Sequence, residues 1–116
     1  MNPIVLGARD RFNVLELGAG RAENRTEYRC SACLTISRFT EKSFAKNMFK
    51  DFSIFPPDIR AVLEVSVPFT RANWEEFLDF ECSGCGGFIR IIYIPNEYRM
   101  GCHYYILRQV IEMVNT

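Results

Sequence analysis

Two short segments, Cys30-Ser31-Ala32-Cys33 and Cys82-Ser83-Gly84-Cys85, constrain this chain more than anything else in it. Two residues between paired cysteines let one tight turn aim both sulfurs at a common point, and two such turns supply four soft ligands at tetrahedral corners. That is the donor set of a structural zinc ion, so Cys30, Cys33, Cys82 and Cys85 are the expected ligands of one Zn2+. The second turn is the better made. Gly86 and Gly87 follow Cys85, and Gly86 can take the positive φ that lets backbone N–H groups approach the thiolates. Leu34 holds the matching place in the first turn, which weakens it slightly. Three other readings compete with zinc. Metal-free thiols would need the paired spacing twice by chance. A redox CxxC belongs at a helix N-terminus, where the dipole lowers the thiol pKa, whereas both pairs here read as turns between extended arms. An iron–sulfur cluster is the third.

The segments Arg29 to Leu34 and Glu81 to Gly87 resemble the double-CxxC zinc-ribbon and zinc-knuckle proteins, over a minor part of the chain. The resemblance implies a closed four-cysteine zinc site made of the four residues named. The departure is the separation: 48 residues lie between Cys33 and Cys82, against about 15–20 in the usual ribbon. Loop-closure entropy grows only logarithmically, so the longer loop costs about 1 kcal/mol more. Structural zinc contributes on the order of 10–16 kcal/mol at neutral pH, and length is no objection. In overall character the chain also resembles the small immunity proteins that bacteria pair with secreted toxins. That likeness implies tight binding of a single partner and no chemistry of its own, and it carries no residue over.

With 116 residues, nearly half of them apolar, and ten Phe, five Tyr and one Trp, the chain can bury a core and reads as one globular domain spanning residues 1–116. Formal net charge is zero, which argues against a nucleic-acid-binding protein, since a phosphate-binding domain usually carries a basic excess. The charge is uneven: residues 1–50 carry a balance of +4 and residues 51–116 a balance of −4. No apolar run approaches a membrane span, and Met1 to Phe12 lacks the pattern of a signal peptide. With two CxxC pairs and no secretion signal, the expected compartment is the reducing cytoplasm.

Along the chain, Ile4-Val5-Leu6 suggests a short edge strand and Phe12–Leu17 another. Thr40 suits an N-cap for a helix running to about Phe49, with Lys42, Lys46 and Lys50 along one side. Ile59–Glu64 is ambiguous between helix and strand, Glu64–Val67 reads extended, and Phe88–Ile94 is a strand ended by Pro95-Asn96. Leu107, Val110, Ile111 and Val114 fall at i, i+3, i+4, i+7 and predict a helix over Cys102–Val114. The expected fold is therefore α+β: a small single domain, zinc-ribbon-like, with antiparallel strands around the four-cysteine zinc site and two main helices.

No catalytic set is legible. Cys102 and His103 are neighbours whose side chains diverge, so they make no dyad. HExxH, the P-loop and the deaminase H-x-E are absent. A closed four-cysteine site leaves no position for water. The expectation is a non-enzymatic protein-binding module. Its contact surface is placed on Trp74, Glu75, Glu76, Asp79 and Glu81, where crowded carboxylates suit a basic partner such as a nucleic-acid-cleaving toxin. The alternative is a nucleic-acid-binding or regulatory zinc protein that touches phosphates through Arg29, Arg38, Arg90 and the lysine stripe.

Overall fold

Phe88 opens a run of alternating and β-branched residues that stays extended for twelve positions, and the rest of the sheet is built around it. The computed structural model describes residues 2–7, 16–18, 25–40, 43, 53–67, 74–99 and 102–114. Their strands are β1 (Asn2–Gly7), β2 (Glu16–Gly18), β3 (Arg25–Arg29), β4 (Ile36–Thr40), β5 (Glu76–Glu81), β6 (Phe88–Arg99) and β7 (Cys102–Val114). A helix, α1, spans Pro57–Ser66. All pairing is antiparallel. The main sheet runs β1-β7-β6-β5, with β2 alongside β1 on the same edge of β7, and β3-β4 form a separate hairpin.

The two-helix expectation is overturned. Cys102–Val114 is the central strand β7, hydrogen-bonded to β6 on one side and to β1 and β2 on the other. The physical reason is a β-bulge. Ile92 pairs with Gln109 and Tyr93 with Leu107, which leaves Arg108 as an extra residue. An extra residue resets the in–out alternation, so Leu107 and Val110, three apart, both join the same buried cluster. Ile111 joins the cluster on the opposite face. A bulged strand buried on both faces thus reproduces the i, i+3, i+4 spacing of a helix. The other expected helix, Thr40–Phe49, lies outside the described residues apart from Ser43 and from Thr40, which ends β4, and so does the lysine stripe at 42, 46 and 50.

Two boundaries also move. Glu64–Ser66, read as extended, belongs to α1, which starts on Pro57 and carries an Arg60–Glu64 ion pair at 2.6 Å. Strand β6 continues through Pro95. A proline is tolerated where its nitrogen faces no neighbouring strand, and the pairing of β5 ends at Glu76 with Tyr93, two residues earlier. The short edge strand at Ile4–Leu6 is present as part of β1.

Strand alternation gives the sheet two buried faces. On one, Ile89, Ile91, Tyr93, Leu107 and Val110 pack against Tyr28 and Phe39 of the hairpin. Phe80 joins them edge-on, its ring centroid 5.9 Å from Tyr28 and 4.9 Å from Phe39. On the other, Phe77, Ile92, Ile111 and Met113 pack against Leu63 of α1 and against Phe55.

Candidate metal centre

Each hairpin carries one cysteine pair at its tip. The turn at residues 30–35 joins β3 to β4, and the turn at residues 82–87 joins β5 to β6. The two turns have the same backbone hydrogen bonds. Cys30 N–H donates to Thr35 O at 3.0 Å and Leu34 N–H to Cys30 O at 2.9 Å; Cys82 N–H donates to Gly87 O and Gly86 N–H to Cys82 O, both at 2.8 Å. This closure requires a left-handed residue in the fifth place, and Leu34 (φ 65°) and Gly86 (φ 73°) supply it. Glycine adopts that backbone without penalty. Leucine does so at a cost of about 1–2 kcal/mol.

The four sulfurs lie within 4.8 Å of one another. Cys30 Sγ is 3.8 Å from Cys85 Sγ, and Cys33 Sγ is 3.4 Å from Cys82 Sγ. These separations exceed the S–S bond of about 2.05 Å, and all four cysteines are free. A tetrahedron with Zn–S bonds of about 2.3 Å has S···S edges of about 3.8 Å, so the residues fit one zinc ion. Close approach of the turns depends on Gly84. A Cβ there would lie 2.0 Å from Thr35 Oγ1 and 2.8 Å from Cys33 Sγ.

The sulfurs differ in surroundings. Desolvation pushes the Cys30 thiol up to about 12, against bonds from the Cys33 and Ala32 N–H groups. The Thr35 hydroxyl, with the Thr35 N–H, brings Cys33 down to about 6. The Gly87 N–H lowers Cys85, yet desolvation and the sulfurs of Cys33 and Cys82 leave it above the usual thiol value. Four sulfurs this close cannot all ionise without a cation among them, and a divalent ion removes that conflict.

The expected partner surface is dispersed. Trp74 is 79 % exposed, and its backbone is left-handed (φ 61°). Glu75 and Glu76 are half-buried, and Glu76 accepts a hydrogen bond from Tyr93 Oη at 3.4 Å. Glu81 is exposed. Asp79 is buried on the helix side, where its carboxylate accepts from Arg90 Nε at 2.7 Å, from Arg90 Nη2 at 2.8 Å and from Ser53 Oγ. Asp79 is therefore removed from any contact surface, and Arg90, 1 % exposed, from any phosphate contact. Arg29 and Arg38 are exposed, the latter 3.6 Å from Glu27. Cys102 and His103 lie in β7, opposite Arg99 and Glu97.

Sequence reasoning missed one residue beside the centre. Glu112 is buried in β7, and its carboxylate accepts from the Ser31 N–H at 3.2 Å and from the Ser31 hydroxyl. The signal was a lone carboxylate inside the apolar run Val110–Val114. No helix among the described residues is long and apolar enough to cross a membrane. Comparison of the chain with protein-family models, with curated proteins and with solved structures found no match.

Proposed function

We propose that the chain is a zinc-stabilised protein-binding module with no catalytic activity of its own. The observation that carries the zinc reading is the convergence of four sulfurs from two matched turns within 4.8 Å. With protein at every corner, no open position remains for a substrate or an activated water, so the ion's role is structural. Elemental analysis of protein purified without added metal should find one zinc per chain, and Cys30→Ser or Cys82→Ser should lose it. Full zinc content in a Cys82→Ser, Cys85→Ser double variant would refute the site.

Support for a protein partner comes from backbone strain. Of the two described non-glycine residues with positive φ, Leu34 owes its backbone to closure of the cysteine turn, whereas Trp74 lies outside both turns and is 79 % exposed. A left-handed backbone costs about 1–3 kcal/mol, and an exposed side chain returns little of that within the fold. Trp is enriched among the anchors that carry binding energy at interfaces. Next to Trp74 in the chain, Glu75 and Glu76 suit a basic partner, of which a nucleic-acid-cleaving toxin neutralised by this chain is the narrower reading. The Glu75→Lys, Glu76→Lys variant should keep its zinc and its fold but associate more slowly with the partner, and Trp74→Ala should dissociate faster. Retention of nucleic acid that weakens steeply with salt, with no protein partner, would favour the nucleic-acid alternative instead.

A further inference from the structure

Glu112 occupies a place where a carboxylate is expensive. It lies on the central strand at 3 % exposure, opposite Ile89 of β6 and Ile4 of β1. A buried carboxylate is retained only when hydrogen bonds replace its water, and both Glu112 oxygens accept from Ser31, one from the backbone N–H and one from the hydroxyl. Ser31 is the residue between Cys30 and Ala32 in the first turn. The next two N–H groups of that turn, those of Ala32 and Cys33, point at the Cys30 sulfur. Holding the Ser31 N–H away from the sulfurs therefore sets the rotation of the turn that aims the other two at Cys30. The second turn has no matching anchor to the sheet face among the hydrogen bonds of the described residues. Its own hairpin strands, β5 and β6, are already part of the sheet. The first turn belongs to a separate two-stranded hairpin and needs a tether.

We infer that Glu112 is a positioning residue of the metal centre: through Ser31 it holds the first cysteine turn in ligand geometry and so controls how fast the ion is lost. The inference rests on the zinc reading above. It also differs from a purely structural role, because Ser31 is exposed and its truncation removes little packing.

The test is the rate of zinc transfer from the intact protein to a chromophoric chelator, for wild type, Ser31→Ala, Glu112→Gln and the double variant, with the absorption spectrum of the cobalt-substituted protein as second readout. Outer-shell partners commonly contribute 10–100-fold to metal affinity. Ser31→Ala and Glu112→Gln should each speed release by about tenfold, the double variant should be no faster than the faster single one, and the thiolate–cobalt bands should shift in all three. Should Glu112→Gln fail to fold, Glu112→Asp, whose shorter side chain withdraws the carboxylate from both Ser31 donors, takes its place. Release at the wild-type rate from the zinc-loaded Glu112 variant overturns the inference and leaves the zinc reading standing. Multiplicative effects in the double variant overturn it too, since the two residues would then act separately. A wild-type protein that binds neither zinc nor cobalt defeats the zinc reading itself.

Discussion

The two faces of the sheet are covered by different means. On the hairpin face, a two-stranded unit is held by aromatic packing at Tyr28, Phe39 and Phe80 and by the four-sulfur centre at its tip. On the helix face, Leu63 and Phe55 pack on Phe77, Ile92 and Ile111, and the buried Asp79–Arg90 pair lies among them. The Arg90 guanidinium stacks 4.0 Å from the Phe77 ring centroid and 5.8 Å from that of Phe55. A two-stranded hairpin is marginal by itself in water, so the first face needs a cross-link. The ten-residue helix buries Leu63 on the sheet, and its face of the sheet carries no cysteine cluster among the described residues but encloses a charge pair whose worth lies in both members being present.

Removing the ion is the largest test of that contrast. Chelation, or Cys82→Ser, should lower the thermal midpoint by roughly 20 °C or more, since several kcal/mol of metal binding is lost at about 4 °C per kcal/mol. Amide exchange should become fast at Tyr28 and Phe39 while Ile92 and Ile111 stay protected. Equal loss on both sides would show that the faces form one cooperative unit and would break the contrast.

The counterpart on the helix face is Asp79→Ala, which leaves Arg90 only the half-exposed Glu64 at 4.0 Å and should cost about 3 kcal/mol in denaturant unfolding without changing zinc content. Replacing the pair together, Asp79→Leu with Arg90→Met, should recover most of that loss. If the double replacement is as unstable as Asp79→Ala, the ion pair contributes more than its mutual neutralisation.

Gly84→Ala sharpens the account of the centre. The added methyl would press on Thr35 and Cys33, and overpacking of that kind costs about 1–3 kcal/mol. Zinc release should quicken with it, while the exchange rates around Leu63 stay unchanged.

The smallest expected effect has the opposite sign. Leu34→Gly removes a left-handed leucine, worth about 1–2 kcal/mol, against about 0.5–1 kcal/mol of added unfolded-state freedom. A net gain of up to about 1.5 kcal/mol should appear as a higher unfolding midpoint of the zinc-loaded protein. A loss would mean that the Leu34 side chain supports the fold.

The convergence of the four cysteines was legible because its signal is local: ligand type, spacing and the demand for positive φ are properties of about six consecutive residues, and Leu34 and Gly86 take the backbone that this demand implies. The strand at Phe88 was legible for a related reason, since its β-branched run faces covered surfaces on both sides. What was not legible depended on residues far apart. The strand character of Cys102–Val114 follows from β1, β2 and β6 arriving on its two edges, and no window of the sequence contains them. The dispersal of the acidic stretch follows from Arg90, eleven positions after Asp79, lying opposite it in the β5–β6 register. The pairing of Glu112 with Ser31 spans 81 positions.

The bulge at Arg108 gives β7 something like a reading frame. Before it, residues 104–106 pair with β2; beyond it, residues 109–114 pair with β1. The frame changes at the junction between these two clients, where the added twist of a bulge lets two strands share one edge. Substitutions along β7 are therefore punished one side chain at a time, and deletion of Arg108 would only remove the bulge, since Leu107 and Gln109 would then follow each other opposite Tyr93 and Ile92; an insertion after Val110 would instead shift every side chain beyond it to the opposite face. Glu112 would turn from the cysteine turn toward the helix, and Ile111 would turn toward the cysteine turns. Tolerance in this strand is set by length rather than by composition.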